Sequence, residues 1–185
     1  MSVGLFGGAF DPPHRGHVQL AQRAKEELGL DELVVLVAAR PGHKSVETPA
    51  EVRLEMAKAA FPDDTVLLDD HARTVELLRE RQDWQDAWFV IGADEFADFL
   101  SWRDPDGVLQ RVRLAVGTRP GFSQARLDAV LDGLAHPERV RLFEMAPVPA
   151  ASRELRAHLV EADIPPAVAE IIRREGLYPA EPRVH

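Results

Sequence analysis

Gly7-Gly8-Ala9-Phe10-Asp11-Pro12-Pro13-His14-Arg15-Gly16-His17 is the stretch on which the fold turns. The apolar run Val3 to Phe6 precedes it and reads as a buried strand. Val18, Ala21, Ala24 and Leu28 follow at helical spacing, and Gly29 supplies a helix stop. The stretch is therefore a strand-to-helix loop. Gly7 and Gly8 lack Cβ atoms, which lets the backbone turn sharply and a ligand come close. Pro12 and Pro13 stiffen the loop. The helix opening near Gly16-His17 aims its unpaired N–H groups and positive dipole end back into the loop, as an anion site requires. His14 and His17 lie about one turn apart, so both imidazoles can face one bound group. No Gly-Lys-Ser/Thr follows and the spacing is not G-x-G-x-x-G, so neither of those phosphate loops is present.

Outward from this loop, strands and helices alternate. Glu32 to Ala38 is a continuous aliphatic run, as expected of a central parallel strand covered on both faces. Thr65–Leu68, Ala87–Ile91, Val112–Val116 and Arg139–Phe143 read as further strands. Thr48-Pro49-Ala50-Glu51 has the form of a capping box, opening a helix whose buried stripe is Val52, Met56, Ala59 and Ala60 and whose Arg53 and Glu55 are solvated. Ala72–Arg81, Glu95–Leu100, Ala125–Leu134, Arg153–Glu161 and Ala167–Glu175 read as helices, and the chain frays from Pro179. Six strands alternating with helices predict a doubly wound parallel α/β sheet, with every loop singled out below at a strand carboxyl end and so at one cleft.

The length of 185 residues suits one domain spanning 1–185. No apolar run has the length of a membrane span and no leader opens the chain, which points to the cytoplasm. The absence of cysteine excludes disulfides and thiolate metal sites. A net charge of −9 argues against nucleic acid as a partner, but not against an anionic substrate, because a local cluster of cations decides binding at short range. A homo-oligomer is left open.

The Gly7–His17 stretch resembles the phosphate loop and His-x-Gly-His signature of the nucleotidyltransferases that transfer a nucleoside monophosphate from a triphosphate. The whole chain looks like a bacterial nicotinate-nucleotide adenylyltransferase. The resemblance implies a Rossmann-like nucleotidyltransferase fold and ATP as a substrate, with Mg²⁺ carried on it and no metal ligands of the protein's own. It assigns phosphate contacts to His14, His17 and Lys44, and nucleotide contacts to Gly7, Gly8, Ala9, Phe10, Gly92, Asp94, Ser152 and Arg156. Thr74, Trp102, Arg103 and Arg119 fall to the acceptor, with Trp102 stacking on a pyridine ring. Asp94 can equally cap the helix after it, and Ser152 the helix at Arg153.

The chain departs from the family pattern twice. Ala72-Arg73-Thr74 stands in place of Ser-Tyr-Thr, and Ala151-Ser152-Arg153 retains one hydroxyl of a Ser-Ser-Thr run. The expected reaction joins ATP to nicotinate mononucleotide, with no covalent enzyme intermediate. The alternatives are transfer to another phosphate acceptor, a non-catalytic nucleotide-binding module, or a metal-dependent hydrolase using His14, His17 and Asp11.

Overall fold

The computed structural model describes residues 1–42, 46–147, 156 and 163–179. Six strands form one all-parallel sheet: β1 (Val3–Gly8), β2 (Glu32–Ala38), β3 (Thr65–Asp69), β4 (Trp88–Gly92), β5 (Arg113–Thr118) and β6 (Val140–Glu144), in the order β3-β2-β1-β4-β5-β6. The order reverses between β1 and β4. Their ladder ends at Phe6 opposite Val90, although β1 continues to Gly8 and β4 to Gly92. The carboxyl ends of the two strands thus bound a crevice, which is where open α/β sheets bind ligands.

Seven helices are described: α1 (Arg15–Leu28), α2 (Ala50–Ala60), α3 (Thr74–Glu80), α4 (Ala93–Ala97), α5 (Pro105–Leu109), α6 (Gln124–Asp132) and α7 (Pro166–Glu175). They cover both faces of the sheet. Leu5, Val34, Leu36, Phe89 and Ile91 pack on one side with Val75 and Leu78 of α3, Leu109 of α5 and Leu127 of α6. Phe6, Val35, Val37 and Val90 pack on the other with Ala21 and Ala24 of α1, Met56 of α2 and Ile172 of α7. Period-2 alternation sends neighbouring strand residues to opposite cores, which is why β2 reads as an unbroken aliphatic run.

Helix ends account for most departures from expectation. α1 is capped by His14 at its start and by Gly29, at φ 59°, at its end. α2 has no capping box: Pro49 occupies the cap position without a side-chain bond, and the Thr48 hydroxyl donates to Tyr178 Oη at 3.2 Å instead. α3 opens at Thr74 rather than Ala72, and Arg79 is exposed and paired with Asp104 at 2.8 Å. α5 was not expected. Its signal is Asp104-Pro105, since the Asp104 carboxylate accepts the Gly107 N–H at 3.0 Å with proline in the first turn. Apart from Arg156, the expected Arg153–Glu161 helix lies outside the described residues, as does most of the tail from Pro179.

Candidate active site

His14 and His17 are fixed by the start of α1. His14 Nδ1 accepts the Gly16 N–H at 3.0 Å, and the His14 N–H donates to His17 Nδ1 at 3.1 Å. The imidazoles thus form a reciprocal cap in which histidine replaces the usual Ser and Glu. Their ring centroids are 3.8 Å apart. Because each Nδ1 accepts, each neutral ring carries its proton on Nε2, so both are set as hydrogen-bond donors through that nitrogen.

His14 is 7% exposed. Burial pushes its pKa down to about 4, with Asp163 opposing the shift. Between pH 6.5 and about 4 the unfolded chain therefore binds a proton at this position that the folded chain refuses. Stability linked to His14 is complete above pH 6.5 and is lost as pH falls toward 4, by about 3 kcal/mol in all. Urea unfolding of the protein and of His14→Gln across that range measures this. The variant's curve should be flatter by that amount, and parallel curves would contradict the burial of a neutral imidazole.

The sharp turn of the loop is not at the glycines. Gly7 and Gly8 finish β1 in extended conformation, and Phe10 takes the positive φ of 50°. Left-handed backbone at a residue with a Cβ costs on the order of 1–2 kcal/mol. Here it drives the ring, 1% exposed, into a cluster with Phe6, Phe61 and His17. Phe10 thus offers a ligand its backbone and not its ring. The missing Cβ atoms serve packing: one on Gly7 would lie 3.2 Å from the Phe89 ring, and one on Gly8 3.1 Å from the Phe10 ring.

Arg53 is the residue the sequence misled on. Expected in solvent, it is 1% exposed. Its Nε donates to the Thr48 carbonyl at 3.0 Å, one terminal nitrogen to Ala9 O at 2.8 Å and Ala38 O at 2.7 Å, and the other to Ala39 O at 3.0 Å. One guanidinium thus ties the first loop, the exit of β2 and the approach to α2. A signal was present, since residues 53, 56, 57 and 60 share one face of α2 and the last three are apolar.

Beside it, Thr48 donates to Tyr178, whose hydroxyl donates to the buried Asp11 carboxylate. Burial, and then the bond to Asp11, push the Tyr178 pKa up, so its proton stays in place. Arg156 donates to the Asp11 carbonyl at 2.6 Å. The hydrolase alternative needs Asp11 as a metal ligand, whereas this carboxylate is occupied by Tyr178.

A cavity of about 480 Å³ opens where β1 ends. Its lining includes Gly7, Gly8 and Ala9, Arg73, Thr74 and Leu77, and Phe89, Trp102 and Arg103, together with the carboxylates Asp69, Glu95 and Asp98. Trp102 packs against Phe89 and Phe99, at centroid distances of 6.2 and 5.1 Å. His71 also lines the cavity, bridged between Asp69 at 2.8 Å and Glu80 at 2.9 Å. Glu80 and then Asp69 raise its pKa.

Six of the residues selected from the sequence (Gly7, Gly8, Ala9, Thr74, Trp102 and Arg103) therefore line one space. Asp94 and Arg119 do not line it, and they pair with each other at 2.9 Å on the surface. Nor does Asp94 cap α4, where Gly92 holds the cap position without a side-chain bond. Open space lies beyond Gly92, where an added Cβ would meet nothing within 4 Å. Lys44 and Ser152 lie outside the described residues. Among the described residues no three His, Cys, Asp or Glu side chains converge as a metal cage, and no helix is long and apolar enough to cross a membrane.

Three comparisons bear on this site. The cytidylyltransferase-like family model matches residues 5–166. A probable nicotinate-nucleotide adenylyltransferase of Rubrobacter xylanophilus is 36% identical, over 99% of this chain and 94% of its own. One from Thermus thermophilus is 35% identical, over 96% of this chain and all of its own. Among solved structures, the Plasmodium falciparum nicotinic acid mononucleotide adenylyltransferase complexed with NaAD superposes with a TM-score of 0.78 at 18% identity, covering 96% of this chain and 97% of that one. At that identity the superposition speaks for the fold, a Rossmann-like nucleotidyltransferase sheet.

Proposed function

The chain belongs to the nicotinate-nucleotide adenylyltransferase family within the cytidylyltransferase-like proteins, and from that premise we infer that it transfers an adenylyl group from ATP to nicotinate mononucleotide, releasing pyrophosphate and forming nicotinate adenine dinucleotide. The observation that carries the reading is the paired His14 and His17 at the start of α1, in the same loop whose Gly7, Gly8 and Ala9 line the cavity at the β1–β4 switch point.

In this reading a phosphate oxygen of the acceptor attacks the α-phosphorus of ATP. The new P–O bond forms as the bond to the β-phosphate bridging oxygen breaks, and pyrophosphate leaves with that electron pair. A phosphate monoester is already anionic near neutral pH, so the attack needs little help from a base. The protein acts by placement and by stabilising charge that moves onto the leaving group. His14 and His17 donate through Nε2 to phosphate oxygens, and Lys44 neutralises the triphosphate. Trp102 offers a flat face to the pyridine ring. Mg²⁺ carried on ATP would neutralise phosphate charge during the transfer. An ATP-consuming reaction of this kind is placed in the cytoplasm.

Pyrophosphate release from ATP and Mg²⁺ with a panel of acceptors tests the reading. Nicotinate mononucleotide should support turnover well above phosphopantetheine and sugar phosphates. Turnover with one of those alone would keep the chemistry and move the acceptor. ATP binding without release under any acceptor would leave a nucleotide-binding module.

A further inference from the structure

We propose that Tyr178 is a positioning residue for the transfer: from the far end of the chain it holds the Asp11 carboxylate, and through it sets where His14 and His17 stand. The proposal rests on the functional reading above. Tyr178 follows α7 on a short segment with two left-handed residues. Gly176 ends the helix at φ 62°, and Tyr178 itself takes φ 51°. Such a φ is uncommon for a residue with a Cβ and persists where the surroundings fix it. Here they do. Leu177 and Tyr178 pack against the core that α1, α2 and α7 share, and the Leu177 N–H donates to the Ile172 carbonyl at 3.0 Å. Arg174 of α7 pairs with Glu55 of α2 at 2.7 Å. α7 is thus docked on α2, and the segment after it delivers the phenol to the first loop, 167 residues away in sequence.

One phenol oxygen makes two bonds there. It donates to the Asp11 carboxylate and accepts from the Thr48 hydroxyl at 3.2 Å, which joins the phosphate loop to the approach to α2. Asp11 is 3% exposed, and its backbone carbonyl takes a further bond from Arg156 at 2.6 Å. The chain beyond Asp11 is stiff. Only Pro12 and Pro13 separate it from His14, and each proline ring locks φ at roughly −65°. All four residues are buried. A shift at Asp11 therefore finds little slack before it reaches His14, which caps α1 and whose N–H donates to His17 Nδ1. A reaction driven by placement feels such a shift at the reacting groups.

Tyr178→Phe removes the oxygen and keeps the packing of the ring. Pyrophosphate release from ATP and nicotinate mononucleotide, measured well below Tm so that lost stability does not enter, should show kcat lowered by about 10- to 100-fold, the scale of a misplacement of about 1 Å. KM for both substrates should stay within about threefold, because Tyr178 itself touches neither. Asp11→Ala should lower kcat by a similar factor. Adding Tyr178→Phe to it should cost nothing further, as for two residues that act as one unit. NMR gives a readout independent of turnover. The ring-nitrogen resonances of His14 and His17 should move in Tyr178→Phe, while those of the exposed His136, which precedes β6, stay in place.

Unchanged kcat in Tyr178→Phe, unmoved His14 and His17 resonances, or losses that add in the double variant would each overturn the proposal while leaving adenylyl transfer intact. A rise in KM with kcat preserved would do the same, since Tyr178 would then shape a binding wall and not the placement of the histidines. A wild-type protein that releases no pyrophosphate with any acceptor defeats the functional reading itself, and the role of Tyr178 in transfer with it.

Discussion

Replacing His17 with alanine should lower the rate of pyrophosphate release by about 10²–10³-fold, the usual cost of one well-placed donor to a developing charge. His17 has two duties that the variant would lose together. Its Nδ1 accepts the His14 N–H at the start of α1, and its Nε2–H faces the ligand side in the proposed mechanism. A lost helix cap costs about 1 kcal/mol. That shifts a melting curve but does not unfold a chain of this size, so the rate loss is chemical and not a matter of folded fraction. His17→Asn separates the duties, because its amide can accept the His14 N–H yet cannot reach where Nε2 lies. It should recover stability and not rate. KM for ATP should change far less than kcat in both variants, since the donor matters most as charge moves onto pyrophosphate. A well-folded His17→Ala protein with near-wild-type kcat would falsify the role given to this residue.

The contrast between His17 and Arg53 shows what the chain discloses in advance. Strands are legible because burial on both faces demands aliphatic residues in sequence. β2 is found at Glu32–Ala38 as expected, and the other strands differ only at their ends. The pairing of His14 and His17 follows from their spacing at a helix start. Their tautomers do not follow from it, because these depend on backbone N–H groups that only the folded cap aims at Nδ1. The turn is misplaced for a similar reason. Glycine is the cheap residue for a positive φ, so a Gly-Gly pair invites it, but the gain from burying Phe10 outweighs the strain. Arg53 is the hardest case. Its partners are carbonyls, which every residue has, drawn from positions 9, 38, 39 and 48, and no residue type marks a carbonyl as left over at the end of a strand.

Arg53→Met should therefore destabilise the fold by about 3–5 kcal/mol, and the reasoning turns on which groups are left behind. Exchanging a buried ion pair for apolar side chains is often neutral, because both charged partners go and their desolvation cost goes with them. Here the acceptors belong to the backbone and cannot be removed. Methionine fills much of the volume and leaves four carbonyls short of a donor. Each buried acceptor so stranded costs about 1–3 kcal/mol, and water entering from the loop side keeps the total below the sum. For a chain of this length that amounts to a drop in Tm of roughly 10 °C or more. Arg53→Lys retains a cation but offers a point charge where three segments need a fork, so it should fall between. Activity decides whether the residue only holds the fold or also places the site. Ala9 follows the two glycines of the phosphate loop, and Ala38 and Ala39 open the loop that carries Lys44. If Arg53 sets their separation, kcat measured well below Tm should fall at least tenfold in the methionine variant, since a shift of about 1 Å in reacting groups can cost 10²-fold. A lower Tm with full kcat in the folded fraction would reduce Arg53 to a structural tie. A fall in kcat that the lysine variant partly restores would make it the residue that holds the two ligand loops in register.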